Sequence, residues 1–441
     1  MRQRPEVKPG RRPGSRREAG AVYIMILVVC MIMTVIGVSA IGVERVRLRR
    51  ANLERHLVEA EALAISAVEH ALLAIEETSA ADPNWRDLLK DHVHTLPMGQ
   101  GSISWTLLSR SGGSLSTDPE KQFVVVGTGT RGEAQHTLSI RLRPGGIALG
   151  CLTSALHAHD DMNLGLGAQL QSNWVISTNA DLVSNGASIF CDISTAGNIQ
   201  INGGTHFGDL YPLSDLRGTP GSTDAMDFYL LSGTVIDITT LPQSGGEYVL
   251  SGGVLSPASN PFDTNITNPE GIYVIDCQGE NLVIENIRVV GTLVIDGMGD
   301  TDVATIRASV NMTPAVPGFP AVVAKKDLTL AMSNAALSES ALATNFNPTL
   351  SPYDGDEDTD TADTYPSIIR GLVYSGKHLT FDVGHSRIHG TVVALKNVIA
   401  QPSAVIELTY DQEIVYDPPP GFFVPNGEMR ISSFSWQRYL D

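Results

Sequence analysis

The chain has 441 residues, 30 of them basic and 48 acidic, with a formal net charge of −18 and a pI near 5.0. Seven basic and two acidic residues precede Ala19, which leaves 23 against 46 in the remainder. A body this acidic repels nucleic acid and anionic lipid surfaces, which excludes a nucleic-acid partner, and the length allows two or three domains with a sizeable core.

Residues 1–20 form a basic leader carrying Arg2, Arg4, Lys8, Arg11, Arg12, Arg16 and Arg17. From Ala19 to Val43 there is no charge, and Thr34 and Ser39 are the only plainly polar residues. About 20 apolar residues suffice to cross a bilayer, whereas the apolar part of a signal peptide spans about 7–15. The length therefore predicts a single-pass anchor, with cleavage after Ala40 as the competing reading. The basic leader places the N-terminus in the cytoplasm and the long remainder on the far side, although Arg45, Arg47, Arg49 and Arg50 weaken that bias.

The helical pattern continues past the span. No Pro or Gly occurs from Glu44 to Glu77, and apolar residues recur at helical spacing from Leu53 through Ala60, Ala64, Ala67, Val68 and Ala71 to Ile75. One helix over 21–80, transmembrane in its first half, is predicted, with Gly37 and Gly42 as points of bending and "TSAADP" (78–83) as its end. Residues 84–148 then hold three strand-like runs, 101–110, 121–130 and 136–144. Gly112–Gly113 and Arg131–Gly132 separate them as turns. Such short connections predict an antiparallel β-meander, one face of which covers the distal half of the helix.

A helix half in membrane and half on an antiparallel sheet resembles the pilin-like α+β design of type IV pilins and type II secretion pseudopilins. The N-terminal region is most similar to pilus assembly, minor-pilin-like proteins of the PilX kind. It has Arg16, Arg17 and Gly20 before Ala21, then Thr34 and Gly37, then "AEALAISAVEHAL" (60–72). The resemblance covers about residues 15–80. It implies a bacterial inner-membrane protein whose body is periplasmic or on the cell surface. Its implied partners are the membrane, other pilin-like subunits through the N-terminal helix, and a prepilin peptidase cutting between Gly20 and Ala21. Most major pilins have Glu at the fifth mature position; Met25 stands there in this chain, which implies an initiating or accessory subunit.

From 149 to 417 short apolar runs alternate with Asn, Gly, Asp and Ser turns, and no convincing helix is visible. Segments 196–211, 279–297 and 376–397 share one form: a strand, a short polar turn, then a Gly-x-Val-type strand. This repeat predicts a mainly β fold with a right-handed parallel β-helix, each coil burying its apolar side against the next. A β-sandwich is the alternative. Long insertions are expected at 213–230, 256–270 and 335–366, and 418–441 reads as a C-terminal tail. The last coil, from 390 to 423, resembles C-terminal regions attached to such pilus proteins and, more loosely, polymer-forming bactofilin-type β-helices.

Three clusters carry candidate chemistry. "DGDEDTDTAD" (354–363) brings Asp354, Asp356, Asp358, Asp360 and Asp363 together, a carboxylate set suited to Ca²⁺, the one cofactor the sequence raises. Thr359 and Tyr365 replace the Gly and Glu of a regular EF-hand loop, and a solvated acidic loop is the plain alternative. "HAHDD" offers His157, His159, Asp160 and Asp161 as metal ligands, or a strand start. "GHSRIHG" has His385, Arg387 and His389 without the paired Asp residues of pectin-cleaving β-helices. Cys151, Cys191 and Cys277 allow one disulfide or three buried thiols. With no catalytic residue identified, the chain is expected to be a non-enzymatic assembly component. An envelope-anchored carbohydrate-binding or carbohydrate-cleaving protein and a bactofilin-like scaffold are the alternatives.

Overall fold

The computed structural model describes residues 16–109, 113–117, 121–262, 266–432 and 435–438, and the side chains of these except residues 16–21 and Gly427. Most of the basic leader, residues 1–15, therefore lies outside the described residues. The fold is mainly β. A long apolar N-terminal helix leads into an antiparallel sheet and then into two large parallel sheets.

Helix α1 (Arg16–Ala81) is 66 residues long and runs through Gly37 and Gly42. Its distal part packs on strands β2 (Gly101–Ser109), β3 (Phe123–Arg131) and β4 (Ala134–Ala148), which with β1 (His94–Met98) pair antiparallel in the order β1, β2, β3, β4. Alternation decides the buried face. Ile103, Trp105 and Leu107 of β2, Phe123 and Val125 of β3, and Ile140 and Leu142 of β4 meet Ala67, Val68, Ala71 and Ile75 of α1. Strand β1 was not legible in "HTLPM". Nor is 418–441 a free tail: Phe423–Ile431 pairs antiparallel with β4, and Gln437–Arg438 adds a further short pairing. Asp417 ties this return together, accepting from Arg143 Nη2 at 2.6 Å and Arg430 Nη1 at 3.1 Å.

Beyond β4 the chain makes repeated circuits through three strand tracks. Leu156–Ala158, Met162–Leu164 and Gln169–Ser172 complete one circuit, and Ile176–Thr178, Leu182–Ser184 and Ser188–Phe190 pair on them in parallel. Equivalent residues stack, so Leu156, Ile176 and Ile193 form one ladder and Val398, Met162 and Leu182 another, all fully buried. Turns stack too. Asp161 Oδ1 accepts from the backbone N–H of Asp181 at 3.1 Å, and Asp181 Oδ1 accepts from that of Asn198 at 2.7 Å.

The order of stacking departs from chain order. The first track runs Thr234–Asp237, Ile272–Asp276, Thr292–Asp296, Pro320–Ala324, Leu372–Ser375 and Val392–Ala394, then returns to the earlier strands Leu156–Ala158, Ile176–Thr178, Ile193–Thr195 and Leu210–Tyr211. The chain thus enters mid-stack, builds outward to Tyr211, and crosses back along the outside. It restarts at Thr234 and closes the gap where Val392 pairs with Leu156, Val398 with Met162 and Val405 with Gln169. The crossing contains a helix that sequence reading missed, Ser222–Ser232, which buries Ala225, Met226 and Tyr229 against the outer side of the first track.

Candidate functional site

Three places deserve a chemical reading, beginning with the helix. Its first half has no partner among the described residues: side chains from Val22 to Val43 are exposed, Met25 at 70%. It is the one helix among the described residues long and apolar enough to cross a membrane. The Thr34 hydroxyl donates to the Cys30 carbonyl at 2.8 Å, so one of the two polar side chains of the span is satisfied inside the helix. Gly20 and Ala21 lie on the helical backbone near its start.

Docking begins where Glu59 meets Arg131 (2.6 Å) and Arg55 (2.7 Å). Beyond it, small residues allow close approach. A Cβ on Gly127 would stand 2.7 Å from Val68 Cγ2 and 2.9 Å from its backbone nitrogen. One on Gly129 would collide with the Ala60 carbonyl oxygen and the Ala64 nitrogen. "VGTGT" in β3 and the alanines of α1 are therefore two halves of one contact. Trp105 completes it, donating through Nε1 to His70 Nδ1 at 3.2 Å and stacking on His94 at 3.9 Å between centroids. From Val22 to Arg55, roughly 50 Å of helix stands clear of this dock.

The second place is the insertion that leaves the stack after Met332 and rejoins it at Ile368. It has its own small core of Leu337, Phe346 and Tyr365 with Val254. Buried Arg288 holds it to the stack by donating to the carbonyls of Phe346, Ser351 and Pro352. Only two of the five aspartates converge. Oxygens of Asp358, Asp363 and Glu339 lie within 4.8 Å of one another, the one such group among the described residues. Asp354 and Asp356 flank the Gly355 turn, and Asp360 Oδ1 accepts from Ala362 N–H at 2.9 Å. Glu339, fully buried and fifteen residues upstream of the Asp run, carried no signal in the sequence. Its Oε1 accepts from Phe346 N–H and from the Tyr365 hydroxyl at 2.9 Å, and its Oε2 from Asp363 N–H at 3.0 Å. Burial pushes the Asp363 carboxyl above its ordinary range, and the charges of Asp358, Glu339 and Asp360 push the same way.

The "HAHDD" residues diverge. His157 is fully buried, with Nδ1 2.8 Å from Ser177 Oγ. Burial, then the charge of Arg217, hold its pKa down to about 3. His159 turns to Thr219 Oγ1 at 2.6 Å, Asp160 pairs with Lys396 at 3.3 Å, and Asp161 serves the turn ladder. They form no metal centre. In "GHSRIHG", His385 (3.2 Å) and Arg387 (3.0 Å) both reach Glu407 on the next circuit, and His389 is exposed. Cys151, Cys191 and Cys277 are free and buried, and burial pushes each thiol up to about 12.

The third place is a groove of about 770 Å³ at the outer end of the stack, lined among others by Trp174, Asp192, Tyr211, Asp215 and Arg217. Trp174 is half exposed and stacks on Tyr410 at 5.5 Å.

No family model matches the chain, and no curated protein matches it. Among solved structures it is similar to the competence-associated pilin ComZ from Thermus thermophilus. That likeness has 12% identity and a TM-score of 0.32, and it covers 88% of this chain and 98% of that one. It is also similar to an ice-binding protein from an Antarctic biological consortium, at 11% identity and a TM-score of 0.23 over 61% of this chain and 93% of that one. At these values the functional reading rests on the chain's own residues.

Proposed function

We propose that this chain is a membrane-anchored, pilin-like assembly component of a bacterial type IV pilus or type II secretion pseudopilus, with no reaction of its own. The observation that carries the reading is the division of α1 into two halves. Val22–Val43 is apolar and unpartnered, whereas Ala60–Ile75 is locked by Ala–Gly contacts to an antiparallel sheet. Such a helix is held in the bilayer by burial of its apolar side chains, roughly 0.8 kcal/mol for each CH₂. On extraction it would bury the same surface against neighbouring helices, the energy coming from a separate motor. In this reading the N-terminus is cytoplasmic. The parallel sheets are coils of a right-handed β-helix carried on the far side of the inner membrane, anchored to the pilin-like head at both ends, through β4 and through Phe423–Ile431.

Gly20 and Ala21 are then the substrate residues of a prepilin peptidase, and Met25 in place of Glu assigns an accessory position. Mass spectrometry of the mature N-terminus tests this. A chain beginning at Ala21 only in cells with the peptidase supports the reading; an intact Met1, or cleavage after Ala40, overturns it. The groove with Trp174, Tyr211, Asp192 and Asp215 favours one second reading, a carbohydrate-binding surface. A glycan array probed with the full chain and with Trp174→Ala tests it: glycan binding that Trp174→Ala abolishes supports it, and no binding sinks it.

A further inference from the structure

We propose that the insertion between Met332 and Ile368 holds a calcium ion on Glu339, Asp358 and Asp363, with the side-chain amide oxygen of Asn347 as a fourth ligand. This does not depend on the assembly reading. Three carboxylates within 4.8 Å of one another would be repulsive if left alone. None of them has a Lys, Arg or His partner within ion-pair distance among the described residues, and Arg288, whose charge interacts with Glu339, directs its guanidinium to backbone carbonyls. The independent observation is Asn347. It is only 2% exposed, its Nδ2 stands 3.3 Å from Asp363 Oδ2, and its Oδ1 is a buried acceptor with no donor among the described residues. Such an oxygen requires a proton donor or a cation, and the Nδ2 of the same amide stands against the Asp363 carboxylate.

The donor chemistry selects the ion. All four ligands are oxygens, which disfavours zinc; three come from loop segments of irregular geometry, and Glu339 opens the one-turn helix Glu339–Leu342. Mg²⁺ demands a near-ideal octahedron, whereas Ca²⁺ tolerates six to eight ligands at about 2.3–2.6 Å. Two oxygens on opposite sides of such an ion are about 4.8 Å apart, so the observed cluster fits around one centre. Asp363 is at the solvent edge, which leaves a route for the ion and for coordinating water. Glu339 is already fixed by Phe346, Tyr365 and Asp363 N–H and retains lone pairs for a metal.

Tyr365 makes the site readable, because its hydroxyl lies 2.9 Å from Glu339 Oε1. Full-length protein in detergent, stripped with EDTA, is titrated with Tb³⁺ and excited through tyrosine. The expected result is sensitised emission that Ca²⁺ displaces and equimolar Mg²⁺ does not. Asp358→Asn and Asp363→Asn should each weaken binding at least tenfold, and Asp354→Asn and Asp356→Asn should leave it unchanged. Circular dichroism confirms that each variant is folded. The proposal is overturned if folded wild-type protein gives no sensitised emission, or if Asp354→Asn weakens binding as much as Asp363→Asn does.

Discussion

Replacing Gly129 by valine tests the dock on which the functional reading depends. A Cβ at this position meets the Ala60 carbonyl and the Ala64 nitrogen, and lies 2.6 Å from Leu63 Cβ. Carbon atoms rest at about 3.5–4.0 Å, so the helix must retreat by roughly 1 Å across this turn. Two of the obstructing atoms are helix backbone, which no rotamer change can move aside. A gap of that size forfeits up to about half of each dispersion contact nearby, and overpacking of this kind costs about 1–3 kcal/mol. With neighbouring Ala64 and Val68 also loosened, the expected loss is about 2–4 kcal/mol. Thermal unfolding of the full chain in detergent, followed by tryptophan emission, measures it, because Trp85 and Trp105 are buried in this core. The midpoint should drop by several degrees. Gly113→Ala, whose Cβ meets only Ser109 Oγ at 3.6 Å, should not move it. A Gly129→Val midpoint equal to wild type would refute the close-packed dock.

Acid should weaken the stack through His157. Its folded pKa of about 3 lies below the ordinary 6.5, so the unfolded chain takes up the proton first. Its contribution is complete above about pH 6.5 and declines as pH falls toward 3, by about 5 kcal/mol in all. Urea unfolding at pH 7 and pH 4 should show His157→Leu losing about 3 kcal/mol less than wild type, and equal losses would contradict the assignment. Deleting the chain from Phe423 onward removes eight paired positions from the edge of β4, at about 2–4 kcal/mol, and exposes that edge. Size-exclusion chromatography should then report association, and an unchanged elution volume would argue against it. Cys151, Cys191 and Cys277 should resist a thiol reagent in the folded protein and all react in denaturant; fast labelling of any of them before unfolding would contradict their burial.

Local chemistry wrote the first part of this structure into the sequence. A charge-free run from Ala19 to Val43, followed by a stretch without Pro or Gly to Glu77, specifies one long helix whatever surrounds it. Strands β2, β3 and β4 follow from alternation and glycine turns, and the many three-residue strands from their Asn, Asp and Gly punctuation. Two carboxylates of the Asp-rich loop were legible, but their partners Glu339 and Asn347 were not. Those two meet the loop only because Leu337 pairs with Tyr365 and closes the insertion on itself.

Only the tertiary structure decided which circuit stacks on which. Strands such as "IST" at 176–178 and 193–195, "LHA" at 156–158 and "VVA" at 392–394 present nearly the same small apolar pattern. Parallel pairing therefore discriminates poorly among them by sequence. The choice is made by what each alternative leaves exposed. The crossing from Tyr211 to Thr234 carries Ala225, Met226 and Tyr229, which are buried only when their helix lies along the first track. Closing Val392 on Leu156 then pairs two strand edges that would otherwise face water. The same accounting brings Phe423–Ile431 back to β4, where Arg143 and Arg430 share Asp417. The sequence by itself determined the long apolar helix, the meander and the repeating strands, because those depend on neighbours a few residues away. The permuted stack and the returning terminus depend on surfaces more than 200 residues apart, matched only once the chain is folded.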